Sequence, residues 1–176
     1  MQRRRVETSG GGISEGGVRG GVGQWESGEG AEVVDAGGKG GASLGGIDVR
    51  VKDASASSLS GTLATDMKSY DLMNQINARG TYLSGRCCLP QLKRSAEAGR
   101  NPHILTLSPP LDMRPKWFAP HVAYSMAKYG MSLCTLAWAE EFRKDGIAAN
   151  ALWPRTLIAT AAIQMIGGSE MANKAR

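Results

Sequence analysis

An α/β fold built on a parallel sheet is what the sequence predicts, and three observations predict it. Apolar runs near 47–51, 103–107 and 147–152 have the length and composition of strands. Two stretches with helical spacing, 66–92 and 120–142, separate those runs. Strands that alternate with helices pair in parallel, joined by right-handed crossovers.

The 176 residues are one domain's worth of chain, and a hydrophobic content of 41% is compatible with a globular core. The 24 glycines are uneven, with most before residue 47, so residues 1–43 read as a Gly-rich leader. Such composition cannot bury enough apolar surface to offset chain entropy and predicts disorder. Only Ala31-Glu32-Val33-Val34 hints at a strand. Gly37-Gly38-Lys39-Gly40-Gly41 could cradle a phosphate, but it fits neither G-x-x-x-x-G-K-[ST] nor G-x-G-x-x-G, and no amphipathic helix follows. Arg19-Gly20-Gly21 occurs once, among acids, without a stacking aromatic beside it. The leader holds five Lys/Arg against six Asp/Glu, so the net charge of +5 belongs to the later part. A nucleic-acid partner is therefore not expected.

No apolar run approaches transmembrane length, and Met1-Gln2-Arg3-Arg4-Arg5 lacks the apolar segment of a secretion signal. Glu7 and Glu15 argue against a mitochondrial presequence. Cys87, Cys88 and Cys134 are an odd number without ligand spacing, which predicts free thiols, no metal and a reducing, cytoplasmic setting. Adjacent Cys87 and Cys88 cannot share a helix face, so one buried thiol is expected.

The ordered domain is expected over 44–168, with 169–176 a tail. Ile47, Val49 and Val51 alternate as in a strand, and Arg50 among them suits a water-facing edge. Asp66 is a fair N-cap for the helix to residue 92. Its face runs through Tyr70, Met73, Asn77, Tyr82 and Leu89, with a break near Gly80. Residues 95–102 read as a loop. The helix over 120–142 should be terminated by Gly146. A last helix is expected over 156–166, stopped by Gly167-Gly168. His103 and His121 have no second plausible ligand in the pattern and are not expected to be catalytic; His121, next to Pro120, reads as a helix-start surface residue.

The stretch with chemistry is Tyr124-Ser125-Met126-Ala127-Lys128. Tyrosine and lysine four apart on a helix lie one turn from each other. The same spacing also arises by chance on solvated helices. An ammonium beside a phenol favours phenolate, so the Tyr124 pKa is expected to fall from about 10. A phenol tuned in this way exchanges protons with a hydroxyl or carbonyl compound near neutral pH.

The order of strand, Ser108-Pro109-Pro110, loop, Tyr124-x-x-x-Lys128 helix, strand and Asn150-Ala151-Leu152-Trp153-Pro154 resembles a short-chain dehydrogenase/reductase. Trp117-Phe118, Ala127-Lys128-Tyr129-Gly130-Met131-Ser132 and Ala139-Glu140-Glu141-Phe142 extend the likeness, which is closest to the hydroxysteroid dehydrogenase-like 2 branch. The resemblance implies a partial Rossmann-like parallel sheet, the second half of a doubly wound fold. It implies Tyr124 as acid/base, Lys128 as its partner on the nicotinamide ribose, Ser108 on the substrate oxygen and Asn77 holding a water in a proton relay. It makes NAD or NADP the cofactor, touched by Tyr124, Lys128, Ala54, Pro154, Ile158 and Thr160.

The departures are specific. Lys52 and Asp53 stand where the family has two asparagines. Ser108 lies sixteen residues before Tyr124, further than is usual, and Pro109 takes the place of a second serine. Pro154-Arg155 replaces Pro-Gly. The family's Thr-Gly-x-x-x-Gly-x-Gly turn cannot be read in residues 1–43, so NAD(P) binding by this chain is expected to be weak. The alternative expectation is a non-catalytic remnant that self-associates through the helices at 66–92 and 120–142.

Overall fold

The computed structural model describes residues 46–154. In chain order the elements are β1 (Val49–Lys52), α1 (Met67–Asn74), α2 (Gly80–Glu97), β2 (His103–Leu107), α3 (Val122–Glu141) and β3 (Ala148–Leu152). Both β1–β2 and β2–β3 are parallel, in the spatial order β1-β2-β3. The register pairs Val49 with His103 and His103 with Ala148. The α/β class and all three parallel runs thus stand as the alternation of patterns predicted.

The Asp66 carboxylate accepts from the Ser69 backbone N–H at 2.9 Å and starts α1. The expected break is a π turn, Gln75–Arg79, joining α1 to α2 ahead of Gly80. The wider turn resets the helical phase. Below it the buried positions are Thr81, Ser84, Gly85, Cys88, Leu92 and Ser95, whereas Tyr82 is exposed. The helix runs to Glu97, past its expected end near 92. Pro90 is on its exposed side, and Ser95 is bonded to Asp48 below β1. The turn after α3 ends at Gly146, whose φ of 70° is left-handed.

The main core gathers Cys88, Leu92, Ile104, Trp138, Phe142 and Ile147 between the helices and one face of the sheet. A second cluster of Met73, Ala123 and Ala127 lies beside it, with Ala56, Tyr70 and Tyr124 packed on it. Cys88 is the buried thiol; Cys87 and Cys134 are half-buried, and all three are free.

One expectation about β1 is overturned. Arg50 does not face water: it is 6% exposed, beneath α2, and donates to the Thr81 carbonyl at 3.2 Å and to the Ser84 hydroxyl. Lys52 is buried too, while Val49 and Val51 are 59% and 57% exposed. The polar groups of Thr81 and Ser84 are what make the inner side hospitable to a guanidinium. Among the described residues, β1 is paired on one side only.

The closest helix contact is at Gly85, where an added Cβ would lie 2.8 Å from two further ring atoms of Trp138 besides the one it meets most closely. Gly85→Ala is expected to lower stability by about 1–3 kcal/mol in urea titration through overpacking. Adding Trp138→Leu should recover part of that loss.

Candidate active site

All three strands point their carboxyl ends the same way, where crevices of parallel sheets hold ligands. At the end of β1 lie Lys52, Asp53 and Ala54. The Lys52 ammonium donates to the Ala54 carbonyl. The chain then turns back to Ala56, where Asn77 holds it from the middle of the π turn. Asn77 Oδ1 accepts from the Ala56 N–H at 2.9 Å, and Nδ2 donates to the Ala56 carbonyl at 2.8 Å. Asn77 is fully buried, and its side chain serves as a backbone clamp rather than pointing into open space.

Helix α3 closes on that turn. A Cβ on Gly130 would lie 2.7 Å from that of Ala78, so only a bare backbone permits this approach. It brings Lys128 into the field of Lys52 and Asp53. Tyr124, one turn earlier, packs on the Met73, Ala123 and Ala127 cluster. Ser108 follows β2, its N–H donating to Leu152 O at 3.2 Å, and is 4% exposed with an Oγ that has no protein partner. Arg50 Nη1, Thr81 Oγ1, Thr106 Oγ1 and His121 Nδ1 share that condition.

The electrostatics correct the sequence expectation for Tyr124. Burial against the apolar cluster pushes its phenol up, not down. Lys128 is itself pushed down by burial, partly offset by Asp53. Lys52 is lowered to about 8, first by burial, then by repulsion from Arg50 and Lys128, against the pull of Asp53. Arg50 is lowered to about 10, chiefly by burial. Spacing on a helix reports proximity to an ammonium but not the desolvation of the phenol.

Of the remaining expected residues, Ala54 is exposed, with its carbonyl occupied by Lys52, and Pro154 is exposed just past β3. Ile158 and Thr160 lie outside the described residues, as do the leader and the helix expected at 156–166.

Within residues 109–121, which make the Ser108–Tyr124 separation long, Asp112 and Arg114 were not singled out by sequence reasoning. The Asp112 carboxylate accepts from Arg114 N at 3.1 Å, Arg114 Nε at 2.9 Å and Trp117 Nε1 at 2.6 Å. Arg114 holds that carboxyl far below its usual range. Three hydroxyls on one face of α3 take up the loop's carbonyls. Ser125 bonds Trp117 O at 3.1 Å, Tyr129 bonds Asp112 O at 2.7 Å and Ser132 bonds Pro109 O at 2.6 Å. The signal available was Asp112-x-Arg114, the pattern of a side-chain-capped turn.

Comparison with known proteins places the chain in a family. A family model described as enoyl-(acyl carrier protein) reductase matches residues 28–176. The chain belongs to the short-chain dehydrogenase/reductase family. Hydroxysteroid dehydrogenase-like protein 2 of Danio rerio is 57% identical over 133 residues, covering 76% of this chain and 31% of the relative. The human protein of that name is 52% identical over the same share. The chain thus spans about a third of the length of these curated relatives. A crystal structure of a short chain dehydrogenase from Mycobacterium thermoresistibile superposes with a TM-score of 0.73 at 49% identity, over 82% of this chain and 50% of that one. A Xanthomonas campestris structure reaches 0.80 at 48% identity, over 86% and 54%. A metagenomic short-chain oxidoreductase in complex with NADP shares the fold, with a TM-score of 0.63 at 22% identity, over 82% of this chain and 60% of that one.

Lys52 gives the end of β1 a pH signature. A folded-state pKa of about 8, below the ordinary 10.5, means the unfolded chain binds the extra proton above pH 8. Its burial cost is full below pH 8 and disappears as pH rises toward 10.5. Buried thiols act in the opposite sense, so the useful quantity is the difference between two proteins. Lys52→Met is expected to be more stable than wild type at pH 7. That advantage should shrink by about 1 kcal/mol between pH 8 and 9 in chemical denaturation.

Proposed function

We propose that the chain is an NAD(P)-dependent oxidoreductase acting on a hydroxyl or carbonyl compound, with Tyr124 as the proton donor and acceptor. The observation that carries this reading is the grouping of Tyr124 and Lys128 at the carboxyl end of the sheet, with the unpartnered Ser108 hydroxyl after the adjacent strand. The NADP complex of the metagenomic relative supports the cofactor class.

The described residues fit the nicotinamide side of such a cofactor. Lys128 would meet the ribose hydroxyls, and Tyr124 and Ser108 the reacting oxygen. The bound dinucleotide would supply the hydride. Ser108 orients the substrate oxygen by hydrogen bonding. Tyr124, kept protonated by burial, donates to that oxygen during carbonyl reduction and takes the proton back in the reverse direction. Lys128 favours the phenolate left behind, and Asp53 steadies the lysine. Asn77 acts by fixing the turn beside this pair. We place the protein in the cytoplasm, where its free thiols stay reduced; no described helix is long and apolar enough to cross a membrane.

Tyr124→Phe is expected to abolish nicotinamide-dependent turnover while leaving the melting temperature nearly unchanged, since among the described residues the phenol oxygen makes no hydrogen bond. Turnover is followed as dinucleotide absorbance, and wild-type turnover in the variant would remove Tyr124 from this role.

A second reading, self-association without catalysis, is favoured by the exposed apolar residues of α3. Met126, Leu133 and Leu136 are 50–60% exposed, and Tyr82 on α2 is 55% exposed. Under it, light scattering should show a dimer that Leu133→Glu splits, and neither NAD nor NADP should raise the melting temperature. Under the oxidoreductase reading, dinucleotide at about 100 times its Kd stabilises by about 2.7 kcal/mol.

A further inference from the structure

The loop between Ser108 and α3 displays apolar side chains from a rigid support. Its carbonyls at Pro109, Asp112 and Trp117 are taken by hydroxyls of α3, and Phe118 packs on Tyr129 with ring centroids 4.6 Å apart. Yet Met113 is 72% exposed, Trp117 51% and Leu111 38%. Apolar side chains held outward on a fixed loop are characteristic of binding surfaces. The loop is next to the proposed chemistry, because the Trp117 carbonyl accepts from Ser125, the immediate neighbour of Tyr124.

Charge narrows the ligand. Lys116 Nζ sits 4.7 Å from the centroid of the Trp117 ring, and Arg114 is 5.8 Å from it. Arg114 is neutralised by Asp112, whereas Lys116 has no carboxylate partner among the ion pairs of the described residues. Lys52 and Lys128 lie around the single carboxylate of Asp53 at the end of β1. The loop and the end of β1 thus each carry one more cation than anion.

We propose that the 109–118 loop is the substrate wall, and that it selects an amphipathic molecule with an alkyl body and one anionic head. The alkyl body lies on Met113 and Trp117, and Lys116 meets the anion. Fixing the wall before the ligand arrives lowers the ordering cost of binding. The proposal rests on the reading of Tyr124 as the reacting end, but its test needs no turnover.

The experiment is titration calorimetry of the full chain at pH 7 with decanoate, decyl phosphate, decanamide and acetate, all below micellar concentration. Decanoate and decyl phosphate should bind at least about tenfold tighter than decanamide, and acetate weaker still. Met113→Ser should weaken both decyl anions about tenfold; its side chain makes none of the loop's hydrogen bonds, so the fold is kept. Lys116→Ala should bring decanoate down to the level of decanamide and leave decanamide unchanged. Preference for only one of the two anions identifies the head group and supports the proposal. No binding of either decyl anion, binding of both no tighter than that of decanamide, or binding unchanged in both variants overturns it. A change of oligomeric state in Met113→Ser, seen by light scattering, would show the wall to be covered by a second copy and also overturns it. Decanoate affinity unaltered in Tyr124→Phe separates this outcome from the fate of the catalytic reading.

Discussion

One buried amide holds the site together. Asn77 both accepts from and donates to Ala56, joining the π turn of the long helical segment to the chain leaving β1. An amide paired in both directions with one backbone residue leaves little freedom for either partner. Helix α3 closes on the same turn at Gly130 and Ala78. Tyr124 and Lys128 inherit their place from that contact, and Lys52, Asp53 and Ala54 inherit theirs from the clamp. Asn77 thus shapes the site through the backbone it organises.

The second theme is positive charge held away from water. Arg50 and Lys52 occupy the helix-covered side of β1, and both titrate below their ordinary range because of burial. The cost is moderated by carbonyl and hydroxyl partners, Thr81 and Ser84 for Arg50 and Ala54 for Lys52. Asp53, in a position that the family resemblance gives to asparagine, is the carboxylate that both neighbouring lysines feel. Asp53 offsets part of the repulsion that Lys52 meets from Arg50 and Lys128.

The sequence made the strands and long helices legible because each is a sustained pattern, and their alternation carried the parallel pairing. Asp66 and Gly146 were legible for the same reason, as end signals with a backbone meaning. What escaped were properties that depend on a neighbour across the fold. Arg50 read as water-facing because it is charged, yet Thr81 and Ser84 on α2 are what draw it inward. The Tyr124–Lys128 spacing was correct, but the rise of the phenol pKa comes from Met73, Ala123 and Ala127, elsewhere in sequence. The loop after Ser108 offered only Asp112-x-Arg114 as a signal, because its other bonds run to hydroxyls on α3 that look ordinary in a helical pattern.

The inward cations of β1 bear on aggregation. Exposed Val49 and Val51 beside a row of backbone donors and acceptors that is unpaired among the described residues would ordinarily invite strand-by-strand stacking. Two copies meeting antiparallel about residue 50 would set guanidinium against guanidinium, and about residue 51 would set Arg50 against Lys52. An in-register parallel stack repeats each charge on itself. Every such register confines like charges on the dry side of the growing sheet, where they are poorly screened. The same two side chains that make this strand costly to fold act as gatekeepers against its polymerisation.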